Sequence, residues 1–270
     1  MEKRKTGNIN YSNKPHFTPT AKDNKDLIFG TRTIIESIRA GKEIDKLLIQ
    51  KGITNDLMNE LLQLASSHQI PFSKVPVEKL NGITRKNHQG AICFLSAINY
   101  ASLDNIITEC FSKGKAPFLI LLDRITDVRN FGALARTAEV AGLDAIIIPG
   151  KGSAQITSDA MKTSAGALNF IPVCREPNLK DTINFLKNSG IQVIACTEKA
   201  PNMIYDIDFT VPTAIILGSE EDGISPEYLR LANDKAQIPV LGNIESLNVS
   251  VAAAVVMYEG VRQRTLLVNS

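Results

Sequence analysis

Long apolar runs and clustered cysteines are both missing from this 270-residue sequence. No window approaches the roughly 18 uninterrupted apolar residues of a membrane helix, and the first 17 residues carry charge without the apolar core of a secretory signal. We therefore expect a cytoplasmic protein with no membrane partner. The cysteines lie far apart without a C-x-x-C pair, which argues against a zinc knuckle or a disulfide framework and predicts buried thiols. They are Cys93, Cys110, Cys174 and Cys196.

Several nucleotide-binding and hydrolytic signatures are also missing. There is no Walker sequence and no G-x-S-x-G elbow; Gly150-Lys-Gly152 begins like a G-x-G-x-x-G fingerprint, but Gln155 stands where the third glycine would be. This disfavours an ATPase, a hydrolase and an ordinary dehydrogenase. All histidines precede residue 116, so the C-terminal half lacks the usual general base and metal ligand, and we expect no metal. They are His16, His68 and His88.

The overall charge is nearly balanced, whereas the N-terminal residues are basic. The chain has 30 Lys and Arg against 28 Asp and Glu, with 44% apolar residues and the length of two ordinary domains. Residues 1–25 hold six basic residues against two acidic ones among Asn, Thr, Ser and Pro. We predict a basic flexible arm over residues 1–24, which either contacts phosphates or only keeps the protein soluble.

Short strands alternate with helices over residues 25–98, which predicts a small α/β domain. Thr31 and Thr54 stand where helix caps are expected, and Gly41 stands where the first helix should end. Apolar spacing predicts strands over residues 46–50, 71–75 and 90–97 and a helical turn over 77–80. Residues 99–115 are expected to form a linker that is helical in part.

The remaining segment, residues 116–270, has the pattern of a parallel sheet covered by helices. Its predicted strands are apolar on both faces, as buried parallel strands are. They span residues 118–123, 145–149, 191–197 and 214–218. The chain ends in a predicted helix over residues 247–264 that carries the apolar stripe Val251, Val255, Tyr258 and Val261. We therefore predict an α/β fold with two domains.

Three polar loops in this segment follow predicted strands or precede the last helix, and parallel sheets bind ligands at such loops. The first carries Asn130 and Arg136 at a helix start, which is typical of an anion site, although a capping asparagine and a surface ion pair are the simpler interpretation. The second, residues 218–226, places three acids between two glycines. The third places Ser246 and Asn248 before an apolar helix that one of them caps. Together the loops predict a concave site.

Taken in order, the three loops resemble the motifs of one enzyme family. Asn130-x-Gly132-x-x-x-Arg136, Gly218-x-Glu220-x-x-Gly223 and Ser246-Leu-Asn248-Val-Ser250 are similar to the three motifs of the SpoU, or TrmH, branch of the SPOUT RNA methyltransferases. Upstream, Phe29-Gly30 and Asn87-His88-Gln89-Gly90 resemble the ribosomal-protein-like RNA-binding domain of enzymes that methylate guanosine ribose in large-subunit ribosomal RNA. The resemblance covers residues 27–264.

The resemblance implies a C-terminal methyltransferase domain tied in a deep trefoil knot, S-adenosylmethionine as the cofactor, and a homodimer. It also implies site residues by motif position. The reaction centre would contain Asn130, Arg136, Glu220, Ser246 and Asn248; the cofactor would contact Thr197, Gly218, Ile238 and Leu247; RNA would contact Arg85, Lys86 and His88.

The implied reaction moves a methyl group from a sulfonium to a ribose 2′-hydroxyl, an in-line displacement that needs alignment and loss of the hydroxyl proton. Because a guanidinium is a poor base, we expect Arg136 to clamp a neighbouring phosphate and stabilise alkoxide charge. The predicted function is 2′-O-methylation of a guanosine in large-subunit ribosomal RNA. Transfer RNA 2′-O-methylation and a non-catalytic RNA-binding ribosome assembly factor stay open, whereas the missing glycine fingerprint disfavours a nicotinamide-dependent enzyme.

Overall fold

The computed structural model describes residues 26–244 and 246–268 and shows two α/β units in sequence. The predicted arm at residues 1–24 lies outside the described residues. The N-terminal unit contains β1 (Leu27–Phe29), α1 (Thr31–Arg39), β2 (Ile44–Gln50), α2 (Asp56–Ser67), β3 (Phe72–Val75), α3 (Val77–Ile83) and β4 (Ala91–Leu95). The predicted strands and helices of this unit are confirmed to within a few residues, and β1 is an additional strand.

The N-terminal unit is built on a four-stranded sheet in the order β1-β4-β2-β3. β4 runs antiparallel to β1 and β2, whereas β2 and β3 are parallel. α1 and α2 bury their apolar faces against one side of the sheet. On the other side, Leu80 of α3 packs with Leu48, Val75 and Ile92. Both faces of the small sheet are thus covered by apolar contacts.

Two predicted helix caps are wrong by one residue. Thr31 is the first residue of α1 rather than its cap, and the preceding Gly30 has a φ of 92°, a backbone conformation that favours glycine. Asn55 rather than Thr54 caps α2, because its side-chain oxygen accepts the Met58 N–H at 2.9 Å. In both cases the neighbouring residue has the backbone freedom or the side chain that the helix start requires.

The C-terminal unit contains α4 (Leu103–Ser112), seven strands and five further helices. The strands are β5 (Phe118–Leu122), β6 (Ala145–Pro149), β7 (Val173–Glu176), β8 (Gln192–Cys196), β9 (Asn202–Met203), β10 (Thr213–Leu217) and β11 (Asp234–Gln237). The helices are α5 (Val128–Val140), α6 (Ser158–Thr163), α7 (Leu179–Asn188), α8 (Pro226–Leu231) and α9 (Val249–Val268), with 3₁₀ turns at Ala167–Asn169 and Ile204–Asp206. All four predicted strands are present, and β7, β9 and β11 were not predicted.

The seven strands lie in the order β7-β6-β5-β10-β8-β11-β9, and each neighbouring pair is parallel. Helices cover both faces of the sheet, as the apolar strands predict. In β5, Ile120 and Leu122 face the core beneath α5 and α9, whereas Leu119 and Leu121 face the core beneath α4 and α7. The predicted α/β class with a parallel C-terminal sheet is confirmed, and the trefoil knot stays a prediction.

The predicted linker over residues 99–115 is mostly the helix α4. Leu103 and Ile107 of this helix are buried against the C-terminal sheet. Ser102 caps the helix by accepting the Asn105 N–H with its hydroxyl oxygen. The expected helical part of the connection is therefore present, and it packs as part of the C-terminal unit.

The last helix, α9, buries a different face from the predicted apolar stripe. Val251 and Tyr258 of the stripe are each 48% exposed, whereas Ala253, Val256 and Met257 are buried in the core. The stripe is therefore a partly exposed apolar surface, and small and apolar side chains beside it pack on the sheet.

The cysteines form no disulfide: three are buried, as predicted, and Cys196 is half-buried. Burial raises the pKa of each thiol, so all four stay neutral at physiological pH. In the described part of the chain, no helix has the length and apolar character needed to cross a membrane.

Candidate active site

The three predicted loops meet at the carboxyl ends of β5 and β10 and at the start of α9. In the first loop, the Asp127 carboxylate accepts the N–H groups of Arg129 and Asn130 at 2.9 and 2.8 Å and thereby caps α5. Because Asp127 is the cap, the interpretation of Asn130 as a capping residue is wrong. The Asn130 side chain points across to the other two loops.

One side chain from each loop joins an amide–carboxylate cluster of Asn130, Glu220 and Asn248. The Asn248 amide nitrogen Nδ2 donates to Glu220 Oε1 at 2.5 Å and to Asn130 Oδ1 at 3.0 Å. The Asn130 nitrogen Nδ2 donates to the same Glu220 oxygen at 3.3 Å. Residues up to 118 positions apart in the sequence are thus held together by three hydrogen bonds.

The start of α9 fixes the orientation of this cluster. Asn248 Oδ1 accepts the N–H and the hydroxyl of Ser250 at 3.0 and 2.6 Å, so the Asn248 amide nitrogen must face Glu220. The Val249 N–H is a third donor to Glu220 Oε1, at 3.2 Å. Among the described residues no group donates to Glu220 Oε2, and this oxygen is left to accept a hydrogen bond from a ligand.

Asn130 and Glu220 of the cluster line a cavity of about 380 Å³, which we call the cluster cavity. Its charged lining residues are four acids, Asp127, Glu220, Glu221 and Asp222, and one cation, Arg124. The excess of negative charge makes this cavity unfavourable for a phosphate group and suitable for neutral hydroxyl groups.

Arg124, which the sequence interpretation did not assign, joins the first loop to the second. Its guanidinium donates to Asp123 at 3.1 Å, to Asp222 at 2.9 Å and to the Gly223 carbonyl oxygen at 3.1 Å. The buried Asp123 also accepts the N–H and the hydroxyl of Ser225 at 2.7 and 2.6 Å. Hydrogen bonding to Asp123 raises the pKa of Arg124, so its guanidinium stays positively charged. The sequence feature that could have indicated this contact is the charged pair Asp123-Arg124, which directly follows a buried strand and can pair with the acidic second loop.

The second loop folds tightly on itself, and this explains one of its glycines. A Cβ atom at Gly218 would lie 2.1 Å from the carbonyl carbon of Gly223. Ser219 and Gly223 form an antiparallel bridge that closes the loop, and the Ser219 hydroxyl accepts the Asp222 N–H at 3.1 Å. Gly218 is therefore required for the close approach of two backbone segments.

A second, more apolar cavity lies between β8, β10, β11 and the third loop. Three of the four predicted cofactor residues line it, Thr197, Ile238 and Leu247, and Gly218 directly follows the lining residue Leu217. The structure places Ser246 in this apolar cavity rather than in the amide–carboxylate cluster. Cys196 forms part of the wall, and burial raises its pKa to about 12, so it contributes a neutral thiol. The lining fits a flat, partly apolar ligand.

The structure does not bring Arg136 to the cluster. Arg136 lies on the exposed side of α5, and within the described residues its side chain makes no hydrogen bond or ion pair. In this chain, Asn130 points to the second and third loops, whereas Arg136 is available to a ligand or to another chain.

The predicted RNA contacts divide into one buried and two exposed residues. His88 is 8% exposed; its Nδ1 accepts the Gly90 N–H at 3.0 Å, and its Nε2 therefore donates to Asn81 Oδ1 at 2.9 Å. The imidazole is therefore hydrogen-bonded inside the N-terminal unit, and a contact between His88 and RNA stays a prediction. Arg85 and Lys86 are exposed.

Two family sequence models match the chain at the two units. The SpoU rRNA Methylase family matches residues 117–258, and the RNA 2′-O ribose methyltransferase substrate binding family matches residues 27–101. The chain belongs to the SpoU RNA methyltransferase family. The predicted resemblance and the prediction of an enzyme are confirmed, and so is an N-terminal substrate-binding unit ahead of the methyltransferase unit.

Relatives of this family are similar over nearly the whole chain. A protein of Staphylococcus saprophyticus assigned to the TrmH family of tRNA/rRNA methyltransferases is 35% identical over 245 residues, covering 89% of this chain and 97% of the relative. A Staphylococcus aureus protein with the same assignment is 35% identical over 242 residues, covering 88% of this chain and 96% of the relative.

Solved structures share the fold. The SpoU methyltransferase AviRb from Streptomyces viridochromogenes, crystallised with S-adenosylmethionine, aligns with a TM-score of 0.57 and 24% identity over 89% of this chain and 90% of that one. An rRNA methyltransferase from Sinorhizobium meliloti, also bound to S-adenosylmethionine, aligns with a TM-score of 0.56 and 24% identity over 87% and 86%. Both of these solved structures contain the cofactor that the sequence predicts for this chain.

Proposed function

We propose that this enzyme transfers the methyl group of S-adenosylmethionine to the 2′-hydroxyl of a guanosine in large-subunit ribosomal RNA. The observation that carries the proposal is the amide–carboxylate cluster of Asn130, Glu220 and Asn248. It contains one residue from each motif, and it leaves one oxygen of Glu220 on the wall of the cluster cavity without a donor among the described residues.

The apolar cavity fits the cofactor. Its wall offers Leu217, Ile238 and Leu247 as apolar surface for an adenine ring and Thr197 as a polar group. The close approach of Gly218 to Gly223 keeps the neighbouring backbone compact, which lets a ligand lie against main-chain atoms. When bound there, the cofactor supplies an electrophilic methyl group on a sulfonium.

The residues of the cluster align the hydroxyl that is methylated. Three donors hold Glu220 Oε1, so Oε2 accepts the ribose 2′-hydroxyl and orients its oxygen toward the methyl carbon. A bond forms between this oxygen and the methyl carbon while the carbon–sulfur bond breaks, and the hydroxyl proton leaves toward Glu220 or water. The two asparagines hold the carboxylate in place.

Arg136 and a second copy of the chain complete the proposal. The guanidinium is suited to clamp the phosphate next to the target ribose. Because Arg136 lies away from the cluster of its own chain, a homodimer could supply it to the partner's cluster, and the exposed stripe with Val251 and Tyr258 offers an apolar surface for association. Ser246 is placed to contact the cofactor rather than the hydroxyl.

The N-terminal unit supports RNA as the substrate, because it matches the substrate-binding family of RNA ribose methyltransferases. We favour ribosomal RNA over transfer RNA since such a unit suits recognition of folded RNA by shape and single-stranded loops. Transfer RNA is the second candidate, because the family assignment of the relatives names both transfer RNA and ribosomal RNA. A non-catalytic assembly factor is disfavoured because the cluster residues are all present.

The test is transfer of labelled methyl from S-adenosylmethionine to total RNA of a strain that lacks this gene, followed by separation of RNA classes and nucleoside digestion. We expect label in 2′-O-methylguanosine of large-subunit RNA. Label in transfer RNA would keep the activity and overturn the substrate. No label in any RNA, with the cofactor still bound, would overturn the proposed reaction and favour the assembly factor.

A further inference from the structure

A cleft between the two units lies next to the cluster cavity. It has a volume of about 120 Å³ and is lined from the N-terminal unit by Asp45, Lys46 and Ser73 and from the C-terminal unit by Lys151, Gln155 and Arg175. Gly152 lines both the cleft and the cluster cavity, so the two openings adjoin at this residue. We call this opening the interdomain cleft.

The charge of the interdomain cleft is opposite to that of the cluster cavity. Lys46, Lys151 and Arg175 are three cations against the single acid Asp45. The Asp45 carboxylate is turned to the interior, where its Oδ1 accepts the Tyr100 hydroxyl at 2.7 Å. The cleft therefore presents positive charge beside a cavity whose acids repel phosphate.

The cations of the cleft are held by both units. The Arg175 guanidinium lies 4.1 Å from the centre of the Tyr100 ring and donates one hydrogen bond to the Ile44 carbonyl oxygen at 2.8 Å. Lys151 reaches from the C-terminal unit to within 6.0 Å of the Phe72 ring of the N-terminal unit. An arginine fixed at one edge keeps its other N–H groups available in a defined direction, as recognition of a phosphate requires.

We propose that the interdomain cleft binds phosphodiester groups of the RNA strand next to the nucleotide that is methylated. This proposal rests on the proposed function and adds where the RNA strand lies on the enzyme. Lys46, Lys151 and Arg175 attract the phosphates and release their counterions, while the neighbouring ribose reaches past Gly152 into the cluster cavity. The acids of the cluster cavity repel phosphate, and this keeps phosphate groups out of the position that the hydroxyl must occupy.

The test measures binding of a fluorescent, mixed-sequence, 30-nucleotide single-stranded RNA to the full chain over a series of salt concentrations. The variants are Lys46→Ala and Lys151→Ala, with Lys46→Arg as the conservative change. The control is Lys113→Ala, which removes one positive charge from an exposed pair with Glu109 at the opposite end of the sheet. Thermal unfolding and S-adenosylmethionine binding are measured for every variant.

We expect each cleft variant to weaken RNA binding several-fold and to lower the slope of log affinity against log salt by about 0.7 for each lost phosphate contact. Lys46→Arg should restore both values, and Lys113→Ala should match the wild type. If the cleft variants bind like Lys113→Ala with an unchanged slope, the cleft proposal is wrong even where the wild type methylates RNA. If the wild type transfers no methyl group while the cleft variants still lose affinity, the proposed reaction fails and the cleft stands.

Discussion

At the scale of single residues, the three consecutive acids of the second loop differ in what holds them. Glu220 receives three hydrogen bonds on one oxygen, Asp222 pairs with Arg124 at 2.9 Å, and Glu221 is exposed. The loop therefore contains one carboxylate fixed in the amide–carboxylate cluster and one that holds the loop in place. Their order in the sequence alone does not distinguish these roles.

Gly132, in the first motif, serves helix packing rather than chemistry. A Cβ atom at this position would lie 2.1 Å from the Thr163 hydroxyl oxygen and 2.9 Å from the Ser164 backbone nitrogen, where α5 crosses the end of α6. We predict that Gly132→Ala lowers the free energy of unfolding by about 1–3 kcal/mol, because the two helices must separate to fit the methyl group. Urea unfolding of the purified variant measures this change.

Gly82→Ala is the matched control for this prediction. Gly82 lies in α3, and a Cβ atom there would meet no atom within 4 Å. Because alanine favours a helix more than glycine does, Gly82→Ala should leave stability unchanged or raise it by up to about 1 kcal/mol. A Gly132→Ala variant as stable as the wild type would show that the helices at this crossing are not closely packed in solution.

At the scale of elements, the apolar strands could be predicted because each is buried on both faces. The strands β5 and β6 are apolar throughout, β8 and β10 are apolar after a first polar residue, and the predicted ranges match all four to within a residue or two. β11 could not be predicted in this way, since its sequence is Asp-Lys-Ala-Gln and only Ala236 is fully buried. It is held by pairing with β8 and β9, a contact that local sequence does not encode.

The candidate site was predictable in its residues and only partly in its geometry. The order of three polar motifs predicted that Asn130, Glu220 and Asn248 would meet, and the structure brings them together. Motif position could not show that Ser246 lines the apolar cavity or that Arg136 lies away from the cluster, because neighbouring residues in a loop or helix point in different directions.

At the scale of the whole molecule, hydrogen bonds join the two units into one structure. The Ala97 N–H donates to the Ile156 carbonyl oxygen at 2.7 Å, and Asp26 accepts the Ser158 N–H at 3.1 Å. Asp45 of the N-terminal unit accepts the Ile156 N–H at 3.3 Å. Asp45 also lines the interdomain cleft, so the position of the N-terminal unit and the shape of the cleft depend on each other.

Asp45 makes this junction sensitive to pH. Burial raises the pKa of the Asp45 carboxyl above its ordinary value of 3.8, although hydrogen bonds from Tyr100 and Ile156 oppose the shift. A raised pKa in the folded state means that the native protein holds the proton more tightly, so this contribution to stability is present at acid pH and lost as pH rises through the raised pKa. We predict that Asp45→Asn becomes more stable relative to the wild type as pH rises from about 4 to the raised pKa of Asp45, with no further change above it.

Urea unfolding of both proteins across this pH range measures the difference in stability. Glu259→Gln serves as a comparison, because its stability relative to the wild type should change with pH in the opposite direction. A hydrogen bond from Arg262 lowers the pKa of Glu259, so its contribution to stability is present above the ordinary pKa and lost as pH falls. Glu259→Gln should therefore become less stable relative to the wild type over the same rise in pH. A constant difference between Asp45→Asn and the wild type would contradict the account of the junction.

The central claim is that the amide–carboxylate cluster is the reaction centre, and the two adjacent glutamates of the second loop test it most directly. In Glu220→Gln, Asn130, Asn248 and Val249 still donate to Oε1, which places an amide nitrogen where Oε2 accepted the hydroxyl. Glu221→Gln removes the same charge from an exposed neighbour.

The measurement is the single-turnover rate of methyl transfer to RNA from a strain that lacks this gene, at saturating S-adenosylmethionine. We predict that Glu220→Gln lowers the rate about a hundredfold or more, with cofactor binding and thermal stability retained, while Glu221→Gln stays near the wild-type rate. A Glu220→Gln enzyme that methylates RNA as fast as Glu221→Gln would contradict the assignment of the cluster as the reaction centre.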